Sequence, residues 1–231
     1  MESQVTGTTM PVLEIVLEPG ECVVAETGEM GWISGSIQLA TSTRGGGKGL
    51  FGLAKRAMAG GGLFMTEYRA HGSQGTVAFP AKIPGQILPV ALGSGAPYLV
   101  HKHGFLCGTE GVEVSAGFQQ SLGAGIFGGD GFMLQKLSGH GTAWVELGGE
   151  AVVRDLHPGE TLRVIPGHVG MFEETVQFTI DHMHGFRNVL FGGEDLFLAA
   201  LTGPGRVVLQ SLTLPGLAHS IWPYLPQTNG Q

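Results

Sequence analysis

Apolar and polar positions alternate with a period of two along much of this chain. Ala143-Trp144-Val145-Glu146-Leu147 and Thr175–Ile180 alternate cleanly, and Val12–Leu17 is β-branched and similarly patterned. Residues two apart on an extended backbone share a face, so each segment predicts a half-buried strand. Gly-Gly, Pro-Gly and Ser-Gly pairs punctuate the segments and predict turns. One stretch takes helical spacing instead. At about 100° per residue, Leu50, Phe51, Leu53, Ala54, Ala57 and Met58 occupy an arc of roughly 160°, with Lys48, Lys55 and Arg56 opposite.

The strand pattern recurs three times. Leu17-Glu18-Pro19-Gly20-Glu21, Leu92-Gly93-Ser94-Gly95-Ala96 and Leu156-His157-Pro158-Gly159-Glu160 align without gaps. Short apolar stretches follow at Cys22–Ala25, Tyr98–Val100 and Leu162–Ile165, then alternating segments at Ile37–Ala40, Val112–Ala116 and Val176–Ile180. A second signature follows each: Gly61-Gly62-Leu63-Phe64-Met65, Gly128-Gly129-Asp130-Gly131-Phe132-Met133 and Gly192-Gly193-Glu194-Asp195-Leu196-Phe197-Leu198. Further strands are expected at Thr76–Phe79, Thr142–Leu147 and Arg206–Leu212. Two signatures in one order, three times, predict β units over 11–80, 81–150 and 151–215 with a tail over 216–231. Each unit is too small to cover its own strand edges. Packing all three about an internal pseudo-threefold axis would bury them in one core.

Composition agrees with an all-β chain. Of 231 residues 41 are glycine, and each glycine inside a helix costs about 1 kcal/mol relative to alanine, so long helices are disfavoured. Charged residues are 13% and hydrophobic residues 42%, which excludes bulk disorder. The net charge of −7 lacks the basic footprint of a nucleic-acid binder. Cys22 and Cys107 are too few for a disulfide framework and read as buried thiols of a reducing compartment. The N-terminus has no basic and apolar regions of a signal peptide, and no apolar run approaches ~18 residues; the expected location is cytoplasmic.

Gly28-Glu29-Met30-Gly31-Trp32, the glycine-flanked basic insertion from Gly45-Gly46-Gly47-Lys48 through Lys55-Arg56-Ala57-Met58, and Gly60–Thr66 resemble the altered-inheritance-of-mitochondria family. The resemblance extends over about residues 10–222. It implies three domains like those of the tryptophan RNA-binding attenuation protein (TRAP-like β-sandwiches) and no established enzymatic activity. The mitochondrial role of fungal relatives does not transfer without a transit peptide. RNA binding does not transfer with the fold either.

Candidate chemistry is sparse. Gly95, five residues, then His101-Lys102-His103 has the form of the first half of a cupin metal motif. Two alternate histidines on a strand would present both imidazoles to one face. A carboxylate should follow four or five residues later, where Cys107 and Gly108 stand; Glu110 comes late. His182-Met183-His184 has no close carboxylate after it and reads as a short helix or loop. No Gly-X-Ser-X-Gly elbow occurs, and Lys48 is followed by Gly49-Leu50 rather than the ending of a P-loop.

The sequence therefore points to a non-enzymatic β-scaffold with no catalytic, cofactor-binding or metal-binding residue. A homo-oligomer is expected, with a trimer favoured, because bare strand edges are closed most simply by cyclic association. The insertion 44–62 is the candidate interaction element, through Arg44, Lys48, Leu50, Phe51, Lys55 and Arg56 toward a protein partner or an anionic membrane. The competing readings are a cupin-like metalloenzyme using His101 and His103, and a membrane-surface adaptor using the insertion.

Overall fold

The structure, a computed structural model, describes residues 1–42, 65–120, 132–187 and 195–226. The fold is all-β. An N-terminal strand, β1 (Glu2–Thr6), precedes three runs of six strands. The first run is β2 (Val12–Leu17), β3 (Cys22–Glu26), β4 (Trp32–Ile33), β5 (Ile37–Ser42), β6 (Met65–Ala70) and β7 (Gly75–Pro80). The second is β8 (Gly85–Leu92), β9 (Tyr98–His101), β10 (Phe105–Thr109), β11 (Val112–Gln120), β12 (Phe132–Gly139) and β13 (Gly141–Gly148). The third is β14 (Ala151–Leu156), β15 (Thr161–Val164), β16 (Val169–Glu173), β17 (Gln177–Arg187), β18 (Asp195–Thr202) and β19 (Gly205–Gln210).

Each run pairs its strands in the same antiparallel scheme. The first strand pairs with the sixth, as β2–β7, β8–β13 and β14–β19. The second pairs with the fifth, as β3–β6, β9–β12 and β15–β18. The third pairs with the sixth and the fourth with the fifth. Two more ladders cross between runs: β3 with β10, and β9 with β16. They fuse half of one run to half of the next. Four sheets result, in the orders β1-β2-β7-β4, β5-β6-β3-β10-β13-β8, β11-β12-β9-β16-β19-β14 and β15-β18-β17.

Apolar side chains fill three gaps between successive sheets rather than the one core expected from sequence. Leu13, Ile15 and Phe79 of the first sheet meet Val23, Tyr68 and Trp144 of the second. Val90, Val145 and Leu147 of the second meet Val100, Leu137 and Val208 of the third. Leu134, Phe172 and Val207 of the third meet Ala199 and Leu201 of the fourth. The cause is the pleat. Neighbouring residues on a strand face opposite sides, so Val23 and Ala25 enter the first core while Val24 enters the second. On β13, Trp144 faces the first core and Ala143 and Val145 the second. Strands covered on both faces need continuous apolar runs, which explains Cys22-Val23-Val24-Ala25. Aromatic packing closes the third core: Phe178 stacks on Phe172 and Phe132 at centroid distances of 5.4 and 5.5 Å, with Phe118 edge-on at 4.9 Å.

The recurring Pro-Gly-Glu turn has a local physical cause. Glu21 Oε2 accepts the Glu18 backbone N–H at 2.9 Å, and Glu160 Oε2 accepts that of His157 at 2.9 Å. The carboxylate thus satisfies a donor that the turn leaves unpaired. Gly20 and Gly159 take φ of 90° and 78°, in the left-handed region where a side chain is strained. The equivalent turn of the second run lacks the glutamate and uses Gly93 at φ 108° instead.

Two expectations change. Residues 182–187 belong to β17 rather than to a helix or loop, because β18 supplies a ladder partner as far as the Arg187–Asp195 pair. A helix, α1 (Leu214–Ile221), forms where a tail was expected. Thr213 Oγ1 caps it by accepting the Gly216 N–H at 3.0 Å, and Pro215 sits in its first turn, where a missing N–H costs nothing. No residue of α1 is buried. No helix among the described residues is long and apolar enough to cross a membrane.

Because no residue of α1 is fully buried, removing residues 214–231 is expected to leave the melting temperature within about 2 °C of the full chain. Calorimetry of the truncated protein checks this; a larger fall would show that the tail braces the sheets.

Candidate functional site

The six insertion residues, Arg44, Lys48, Leu50, Phe51, Lys55 and Arg56, lie outside the described residues, in the connection from β5 to β6. The two histidine motifs are described to different depths. β9 ends at His101, and Lys102 and His103 form the turn into β10, so the strand alternation invoked from sequence stops at the first histidine.

His101 is committed to the protein itself. Its Nε2 lies 3.0 Å from the Glu146 carbonyl oxygen, an acceptor only, so the neutral ring donates that proton. The side chain keeps a little exposed surface, but packing around the ring desolvates it and holds its pKa down to about 4. Gly104 makes this fit possible: a Cβ there would stand 2.9 Å from Nε2 and 2.4 Å from Val100 Cγ1. Glu110, the late candidate carboxylate, pairs with Arg69 at 3.1 Å. Among the described residues, no group of three or more His, Cys, Asp or Glu is placed to hold a metal ion. His182 lies on β17, where its backbone pairs with Phe197 of β18.

The polar centre that the fold does assemble lies where the first run joins the second. Glu146 on β13 is almost fully buried, and its Oε1 accepts the backbone N–H groups of Lys82 and Ile83 at 2.7 and 3.1 Å. Lys82 Nζ pairs with the buried Glu29 carboxylate. Gln135 on β12 donates to Glu26 Oε1 at 2.6 Å, joining the second run to the end of β3. Its own Oε1 is buried without a hydrogen-bond partner among the described residues. Burial raises the pKa of Glu146, opposed by the two backbone donors, and raises that of Glu26, opposed by Gln135. Burial pushes the pKa of the Cys107 thiol well up, and the charge of Glu29 adds to it. The arrangement ties the β7–β8 connection to β13. It offers no nucleophile with a base beside it.

Sequence reasoning missed this centre. Glu146 looked like the polar position of a half-exposed strand. The available signal was its company, since the neighbouring Trp144, Val145 and Leu147 leave little room for a solvated face.

Two predictions follow from these geometries. Glu146→Ala strands two buried backbone donors and is expected to cost about 2–4 kcal/mol in urea unfolding, with Glu146→Gln much milder because an amide oxygen still accepts both. His101 has a folded pKa of about 4 against an ordinary 6.5. Its contribution is therefore complete above the unfolded value and lost as pH falls toward 4, by at most about 3 kcal/mol. The raised carboxyls Glu26 and Glu146 act with the opposite sign, so the readout is a difference. Between pH 7 and 4.5 the wild type is expected to lose more stability than His101→Gln; equal losses would refute the assignment.

Comparison with known proteins agrees with the architecture. An uncharacterised protein of Streptococcus pyogenes serotype M6 is 28% identical over 227 residues, covering 95% of this chain and 88% of the relative. The X-ray structure of a Streptococcus pyogenes protein superposes with a TM-score of 0.77 at 24% identity, over 97% of this chain and 99% of that one, and so shares the fold. The sequence profile described as mitochondrial biogenesis AIM24 matches residues 3–212, nearly the whole chain, as the glycine-flanked signatures led us to expect. On that match the chain belongs to the mitochondrial biogenesis AIM24 family.

Proposed function

We propose that this protein is a self-assembling, non-enzymatic β-scaffold made of three TRAP-like repeats over 11–80, 81–150 and 151–215. The supporting observation is the six-strand pairing scheme that recurs in each run, joined by the β3–β10 and β9–β16 ladders. Each repeat gives half of its sandwich to a sheet shared with its neighbour, which is how a chain of repeats builds a surface of uniform geometry.

The expected pseudo-threefold closure needs a third such ladder, between β15 and β4. Those strands stand at the edges of two separate sheets. The repeats are accordingly read as an arc with complementary ends, and self-association as the way the ends are satisfied. Two groups with chemical potential are engaged in the fold, which supports this reading: His101 donates to the Glu146 carbonyl, and burial raises the pKa of the Cys107 thiol.

Light scattering of the purified chain tests the proposal. The expected particle is a defined multiple of 24.1 kDa, with three copies, about 72 kDa, favoured. A concentration-independent particle near 24 kDa would overturn it.

A further inference from the structure

Two of the three places where one run could hand its sheet to the next are filled. In the first, Ala25 faces Cys107 and Val24 faces Gly108; in the second, Val100 faces Met171 and Leu99 faces Phe172. These pairs occupy matching positions. Leu17, Leu92 and Leu156 end the first strand of each run, opposite Gly75, Gly141 and Gly205. Three residues past each glycine stand Ala78, Trp144 and Val208, which pair with Trp32, Cys107 and Met171. Eight residues past each leucine stand Ala25, Val100 and Val164. The empty third place thus has a register: Trp32 opposite Val164, and Ile33 opposite Arg163.

At this third place Trp32 and Arg163 are exposed, while Ile33 and Val164 are half-buried. Trp32 is 49% exposed, whereas Cys107 is 0% and Met171 is 5%. The Arg163 side chain is 57% exposed, whereas Val24 is 3%. Ile165, just beyond β15, is a further exposed large apolar residue. The first core takes Leu106, Cys107 and Trp144 from the following run, and the second takes Met171 and Val208. The third core contains no residue of the first run among the described residues. Within one chain β4 and β15 belong to different sheets, and among the described residues no strand pairs with the free edge of either.

We propose that β15 of one copy pairs antiparallel with β4 of a second copy, in the register Trp32–Val164 and Ile33–Arg163, repeating between chains the ladder that β3–β10 and β9–β16 make within one. This rests on the self-assembly reading above and names its surface. The joint unites the three strands of the fourth sheet with the four of the partner's first sheet, carries Trp32 onto the uncovered end of the third core, and extends the two-residue β4. It is head-to-tail, so each copy offers one donor edge and one acceptor edge, and a particle of defined mass requires the copies to close as a ring.

Cross-linking tests the pairing. Residues directly opposite in an antiparallel ladder have Cα atoms about 4.5–5.5 Å apart, within reach of a disulfide. Trp32→Cys and Val164→Cys chains, each made separately, are mixed, allowed to exchange and oxidised. The expected product is a covalent dimer that appears in the mixture and in neither variant alone; the native thiols Cys22 and Cys107 are buried and do not contribute. A chain carrying both substitutions that forms its bond only internally would overturn the proposal in favour of self-closure. As a second readout, Trp32→Asp changes a half-exposed edge residue and is expected to reduce the particle to one copy with an unchanged circular-dichroism spectrum. An oligomer that keeps its mass in Trp32→Asp and yields no mixed disulfide would sink this interface while leaving self-assembly standing. A wild type of one copy would sink both.

Discussion

A strand edge exposes a row of backbone donors and acceptors that must find partners, and nearly everything in this molecule follows from how the edges are satisfied. Within each run, the sandwich has two halves. One half ends in the second strand, the other in the third, and neither is covered by its own run. β3 meets β10 and β9 meets β16 because the next run's free edge is the nearest matching surface. Those ladders make the middle two sheets six strands wide. They also place sheets on both sides of β3, β10, β13 and β16, which sets the apolar content of the sequence there.

Burial on both faces leaves little tolerance for polar groups, and the few present are deliberate joints. Glu146 holds two consecutive backbone N–H groups of the β7–β8 connection, and Gln135 of the third sheet reaches Glu26 at the end of β3 in the second. His101 fastens the end of β9 to the backbone of β13, with Gly104 leaving room for its ring. Each joint links a loop or strand end of one run to a strand of another or to a neighbouring turn. The polar residues thus resist sliding between runs, which apolar contact alone does not prevent.

The fold was legible in the sequence wherever a local cause wrote a repeated pattern. The Pro-Gly-Glu turns were visible because Glu21 and Glu160 make the same side-chain-to-backbone bond. The continuous apolar stretch at Cys22–Ala25 was visible, but its meaning was not, since burial on both faces depends on which sheet lies opposite. The same limit hid Glu146, whose partners are more than sixty residues away in sequence. The His101-Lys102-His103 motif misled because a strand end cannot be placed to one residue by periodicity, and the turn begins between the two histidines. The terminal helix was not legible because its eight residues include Pro215 and Gly216, both poor helix formers, although proline in a first turn is compatible with a helix.

The ladders between runs also shape how the chain emerges during synthesis. Val24 pairs with Gly108, so the first sandwich cannot complete its sheet until more than eighty further residues have been made. At ordinary elongation rates of about 5–20 residues per second, β3 waits for several seconds with its outer edge bare. The second run waits in turn for β16. Such long sequence separations belong to slowly folding topologies, and an edge bare for that long is open to capture by another nascent chain. A ribosome-associated chaperone that shields extended apolar segments would meet this protein at β3 and β9, early and in that order.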